Sequence, residues 1–169
     1  MNKSALKHLF HRDNVAAGET IFHELAKYGA LGVLYQIYTR TTEAFDDLLQ
    51  IKNYEGELCT HVAAKYHNGS LAIQLIEVVE LMGADLNGRN SCAGETIFHR
   101  TVCDGDYELV EWLCKRPQID LDARNYARLT AYQIACKRYD EQMKEIFRKA
   151  GADCEESEET SSEVSDGEE

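Results

Sequence analysis

GETIFHELA (residues 18–26), GELCTHVAA (56–64) and GETIFHRTV (94–102) are one nine-residue pattern written three times, with the leading glycines Gly18, Gly56 and Gly94 each 38 residues apart. A weaker fourth copy, RLTAYQIAC (128–136), places Thr130 where Thr20 and Thr96 stand, 34 residues after Thr96. The histidines keep the same register, His23, His61 and His99, with Gln133 in the fourth position. A fixed period of this length marks a stacked array, in which each unit buries its apolar face only against its neighbours. The second halves of the units agree. LAIQLIEVVELM (71–82) carries apolar residues over a broad stripe, as a helix between two others requires, and Gly83 follows where a left-handed cap is wanted. YELVEWLC (107–114) and EQMKEIFRKAG (141–151) repeat the design.

The copies resemble the ankyrin signature, in which a turn glycine precedes Thr-x-x-His at the start of an inner helix. The period fits, since such repeats run about 33 residues and the excess reads as short insertions. The expected fold is therefore all-α, a solenoid of about four helix-turn-helix repeats joined by β-hairpin-type loops. Its boundaries fall near residues 18–55, 56–93, 94–127 and 128–153. Residues 1–17, with Leu6, Leu9 and Phe10, offer a short N-terminal capping segment. Thr20, Thr96 and Thr130 stand where a hydroxyl accepts from the first free helix amides. Between Tyr28 and Asn53, two apolar clusters flank Arg-Thr-Thr. They predict an outer helix, a break and one more helical turn, the excess lying in the linker without disturbing the stack.

The formal net charge is −12, and it is unevenly placed. Residues 154–169, CEESEETSSEVSDGEE, hold eight acids and no base, which leaves 22 acidic and 18 basic residues before them, a charge of −4. With one aliphatic residue, Val164, and no aromatic, this tail cannot bury enough surface to offset its ordering entropy and is expected to be disordered. It either solubilises the chain or enters a partner's basic groove. Thr160 and Ser165, each with a glutamate three residues on, are places where phosphate would deepen the charge. The acidity argues against direct contact with nucleic acid or an anionic membrane.

Residue chemistry points away from catalysis. Six cysteines occur without a Cys-x-x-Cys pair, and the start MNKSALKHLFHRDN lacks an apolar signal core, so the thiols are read as reduced, intracellular core fillers. No phosphate loop, dinucleotide fingerprint or nucleophile elbow is present, and His11-Arg12-Asp13 has none of the surroundings of a kinase loop. One histidine per repeat does not converge on a metal. In ankyrin repeats this histidine hydrogen-bonds backbone in adjoining turns. The expectation is a protein with no enzymatic activity, no cofactor and no metal.

At GETIFHELAKYGALGVLYQIY, MGADLNGRNSCAGETIFH, ELVEWLCKRPQIDLDARN and YARLTAYQIA the likeness narrows. Over about residues 14–153 the chain resembles the IκB-like ankyrin proteins of polydnaviruses (bracoviruses), the vankyrins. That resemblance implies an inhibitor that binds and sequesters host NF-kappa-B/Rel transcription factors and so suppresses the host immune response. It implies a Rel-homology partner, a chain monomeric when free, and action in the host cytoplasm and, by passive entry, the host nucleus. It also implies absence of the cellular inhibitors' N-terminal degradation signal. Residues 1–17 hold no Asp-Ser-Gly-x-x-Ser, and Ser165-Asp166-Gly167 has the wrong order and lies at the other end. The acidic tail departs from the family's usual ending. Ankyrin arrays bind through loop tips and inner-helix sides along a concave surface. The candidate tips are Asn53, Tyr54, Arg89, Asn90, Asn125 and Tyr126. The candidate inner-helix residues are Lys27, Tyr28, Lys65, Tyr66, Lys137 and Arg138. A general ankyrin adaptor for another client is the competing reading.

Overall fold

The computed structural model describes residues 18–41 and 45–154. The N-terminal capping segment and the acidic tail beyond Cys154 lie outside the described residues. Helices at Ile21–Lys27 (α1), Cys59–Tyr66 (α4), Ile97–Asp104 (α6) and Ala131–Lys137 (α8) are the inner helices. Leu31–Arg40 (α2), Gly69–Leu81 (α5), Tyr107–Cys114 (α7) and Glu141–Ala150 (α9) are the outer ones, and Asp46–Leu49 (α3) is the inserted turn. Inner packs on inner (α1 on α4, α4 on α6, α6 on α8), and outer packs on outer (α2 on α5, α5 on α7, α7 on α9). Each inner helix also packs on the outer helix of its own repeat. This nearest-neighbour pattern is that of an ankyrin solenoid.

Small residues let the inner helices approach closely: Ala26, Ala63, Ala64 and Ala135 are buried, while Phe22, Phe98 and Phe147 fill the space between layers. Phe147 of the last outer helix meets Phe98 and Tyr132 with ring centroids 5.1 and 5.9 Å away, joining the last two repeats. The last two outer helices begin on aspartates that serve two repeats at once. Asp106 caps α7 through Leu109 N at 3.1 Å and also accepts from Gly69 N at the start of α5, 2.8 Å away. Asp140 caps α9 through Met143 N at 3.0 Å and accepts the Tyr107 hydroxyl at 3.0 Å.

The insertion does more than bridge a gap. Phe45, Leu48 and Leu49 are buried in the common core, and Phe45 stands edge-on to Phe22 with centroids 5.4 Å apart. Read from sequence as linker excess, this segment is instead part of the apolar packing of the first repeat.

Candidate protein-binding face

Each of the tips at Asn53, Asn90 and Asn125 is built on its asparagine, and the first two also on a glycine, Gly56 and Gly94, with a separate job. Asn90 takes the amides of Ala93 and Glu95 on its Oδ1 at 3.0 and 3.1 Å; Asn53 holds Glu57 N at 2.9 Å and Asn125 holds Leu129 N at 3.0 Å. All three asparagines are buried. They are expected as contact residues at the tips; the Oδ1 of each is taken up inside its own turn, while Tyr54, Arg89 and Tyr126 are the exposed tip residues among the candidates.

The glycines allow the tips to stack. Gly94 has φ +66°, and a Cβ there would fall 2.4 Å from the Tyr126 ring. Tyr126 N donates to Ala93 O at 2.8 Å, and Ser91 N to Gly56 O at 2.8 Å, so each tip lies on the one before it. Gly18 and Gly56 also have positive φ, and in the fourth repeat the same left-handed position is held by Arg128 at φ 61°.

The repeated histidines tie the repeats together. His23 donates through Nε2 to Glu57 O at 3.0 Å, which fixes the neutral Nε2–H form. Its Nδ1 is then the acceptor, facing the Thr20 amide at 3.1 Å and hydroxyl at 2.9 Å. His99 does the same to Leu129 O at 3.1 Å, with Thr96 beneath it. In the fourth repeat Gln133 substitutes, its Oε1 taking Thr130 N at 3.1 Å while the Thr130 hydroxyl caps Gln133 N at 3.2 Å. His61 reaches Glu95 O at 2.9 Å, but Leu58 stands where the threonine should be, and His61 Nδ1 has no partner. Burial lowers the pKa of all three histidines, that of His61 to about 4. His67, which the sequence did not single out, donates to the Ala26 and Lys27 carbonyls at 3.0 and 3.2 Å and closes the end of α1.

Past these ties, the C-terminal ends of the inner helices make a stripe of bases and aromatics. Tyr28, Tyr66 and Arg138 occupy equivalent positions, each after a lysine, Lys27, Lys65 and Lys137. Lys27 Nζ lies 5.7 Å from the centroid of Tyr66 in the next repeat and 6.0 Å from Tyr28. Lys65 lies 6.0 Å from Tyr66, and its Nζ pairs with Glu55 and, at 3.2 Å, with Glu57. The bonds to Lys65 hold Glu55 below the usual carboxylate range, whereas burial raises Glu57. Arg89 donates to Arg124 O of the next tip. The exposed aromatics are large: Tyr28 is 73% exposed, Tyr54 71%, Tyr126 64% and Tyr66 49%.

The residue that sequence reading missed is Tyr139. It is 88% exposed and sits at φ 56°. Its equivalents are Gly29 and Gly105, also at positive φ. A side chain held left-handed costs about 1–3 kcal/mol, and here it gains no burial in return. The repeat register alone marks it, because a tyrosine stands where two glycines do.

Among the described residues, no group of three or more His, Cys, Asp or Glu is arranged to hold a metal, and no helix is long and apolar enough to cross a membrane. Burial pushes the Cys59 thiol up to about 12 and that of Cys114 up to about 11.

The described residues thus form an array of four ankyrin-type repeats with an exposed aromatic and basic edge. I-Kappa-B like protein G1 of Microplitis demolitor bracovirus (isolate Webb) is 39% identical over 152 residues, covering 86% of this chain and 85% of its own length. I-kappa-B like protein N2 of the same virus is 36% identical over 163 residues, 95% of this chain and 88% of its own. I-Kappa-B like protein H1 is 37% identical over 131 residues, 78% of this chain and 68% of its own. No protein-family model matches the sequence. The chain belongs to the bracovirus I-kappa-B-like ankyrin proteins, the vankyrins.

Proposed function

We propose that this protein binds a host Rel-homology transcription factor along the inner-helix and tip face and holds it inactive, suppressing the host immune response without catalysis. The family membership supports the partner class. The observation that carries the location is the row of exposed tyrosines beside basic groups, Tyr28, Tyr66, Tyr126 and Tyr139 with Lys27, Lys137 and Arg138. Tyr and Arg dominate binding energy at interfaces, since they bring large area at low entropy cost. Sequestration needs only equimolar binding, so the face has to offer area and fit rather than a reactive group.

Tyr139→Gly is the sharpest probe of the face. It relieves a strained backbone, so a weaker complex cannot come from a weaker fold. Binding of the purified chain to a Rel-homology domain, measured by sedimentation or calorimetry, should be one to one and should weaken about tenfold in this variant, as loss of a contact of 1–2 kcal/mol predicts. No complex at micromolar concentrations would refute the partner. An unaltered affinity in Tyr139→Gly, Tyr28→Ala and Tyr66→Ala would move the contact elsewhere.

A further inference from the structure

The loop tips carry a second pattern besides their tyrosines. Lys52, Arg89 and Arg124 each stand immediately before a tip asparagine, Asn53, Asn90 and Asn125, and each is exposed. Immediately after those asparagines come Tyr54, Ser91 and Tyr126, all exposed as well. Three successive tips therefore read base, buried asparagine, exposed hydroxyl. The asparagines lock the turns, and the tips stack through Ser91 N on Gly56 O and Tyr126 N on Ala93 O, both at 2.8 Å. The three bases thus follow one another along the tip edge, one per repeat. With neighbouring helices about 10 Å apart, the row from Lys52 to Arg124 is about 20 Å long.

Two of its guanidiniums are set in place without being neutralised. Arg89 donates through Nη1 to Arg124 O in the next tip, and Arg124 donates through Nη1 to Arg128 O at 2.9 Å. A bond to a neutral carbonyl orients the planar group, leaves its charge intact and keeps further N–H donors for an anion. Arg128, exposed at φ 61°, adds a fourth base at the end of the row. Among the described residues none of these four is in an ion pair, whereas Arg100, Arg116 and Arg148 on the helices lie against carboxylates. The acids close to the row in sequence are engaged. Glu55 and Glu57 pair with Lys65, and Asp85, Asp120 and Asp122 accept the amides of Asn87, Asp122 and Asp153.

We propose that Lys52, Arg89, Arg124 and Arg128 take an extended acidic segment of a protein partner, laid across the tips. In a polyproline-II-like chain, side chains three residues apart point the same way and lie about 9 Å from one another, which matches the spacing of the row. One carboxylate in three then meets a base, and the side chains of Tyr54, Ser91 and Tyr126 lie beside the segment. Charge complementarity is local: the chain as a whole carries −12, which repels a long polyphosphate, while a short acidic run within a Debye length meets the row itself. The proposal rests on the tips belonging to the partner face, and does not require that the partner be a Rel-homology factor.

The test uses the full chain alone, so its outcome is separate from whether a Rel-homology domain binds. A deca-glutamate peptide with blocked ends is titrated in at low salt while backbone amide and arginine Nε–H resonances are followed. The signals of Arg89, Arg124 and Arg128 should move along one saturating curve, and added salt should reverse them. K52Q, R89Q and R124Q together should weaken the peptide about tenfold, the loss expected of three exposed pairs, with the helical circular dichroism unchanged. K115Q, at the end of α7, should leave the affinity as it was. Still signals at Arg89 and Arg124 would overturn the proposal, as would shifts centred on Lys27, Lys137 and Arg138 or an unaltered affinity in the triple variant. A short DNA duplex that moves the same signals at lower concentration than the peptide would put nucleic acid in place of an acidic polypeptide.

Discussion

Arg128 and Tyr139 both hold left-handed backbone in the fourth repeat, where earlier repeats use glycine. They are opposite cases. The Arg128 backbone works inside a turn, its amide donating to Asn125 O at 2.9 Å and its carbonyl accepting from the Arg124 guanidinium at 2.9 Å, and glycine keeps both bonds. Arg128→Gly should therefore raise stability by about 1 kcal/mol, readable as a higher urea midpoint at unchanged slope. Histidine sets the pH response. In the folded chain His23, His61 and His99 are neutral and their pKa values lie below the ordinary 6.5; unfolded, they protonate normally. Their contribution is fully present above about pH 6.5 and is lost as pH falls towards the folded values, reached for His61 near 4. The His61 share alone approaches 3 kcal/mol. Thermal melts should drop steeply between pH 6.5 and 4, and His61→Gln, the side chain type already used at Gln133, should flatten that slope. A pH-independent melting temperature over this range would contradict the assigned tautomers.

Among the elements, α3 separates what a pattern can convey from what packing decides. The helix, break and turn between Tyr28 and Asn53 were readable, because two apolar clusters flanked Arg-Thr-Thr. That Phe45 would lie against Phe22 was not, since nothing in local spacing says which apolar side chain finds which gap. Phe45→Ala should cost about 3 kcal/mol, measured by chemical unfolding, whereas a true linker residue would cost less than one. The inner and outer helices themselves were legible because the copies repeat most of one pattern, with a leading glycine in three, a capping threonine in three and an apolar stripe after each. The turn role of the tip asparagines was not legible, because asparagine is both a common contact residue and a common turn staple, and local spacing does not show that the Oδ1 of Asn53, Asn90 and Asn125 is taken up inside its own turn. Tyr139 stands in the register that Thr130 sets, where Gly29 and Gly105 do, but local spacing shows neither its exposure nor its left-handed backbone.

For the whole molecule, the division of charge matters more than its total. Residues 1–153 are nearly balanced, and the ends of the inner helices keep lysine, arginine and tyrosine together, while Lys144, Arg148 and Lys149 of the last outer helix lie against its own glutamates. Such an edge suits a large partner surface better than a small ligand. The proposed partner is of the Rel-homology class, and sequestration follows if the array competes with the partner's DNA. The direct measurement is displacement. The purified chain is titrated into a Rel-homology dimer already bound to a labelled DNA site, at fixed salt, while fluorescence anisotropy is followed. Loss of the DNA complex near one equivalent of array per binding unit is the predicted result. An undisturbed complex at large excess of folded, helical protein would contradict the inhibitory role and leave an ankyrin scaffold with a different client.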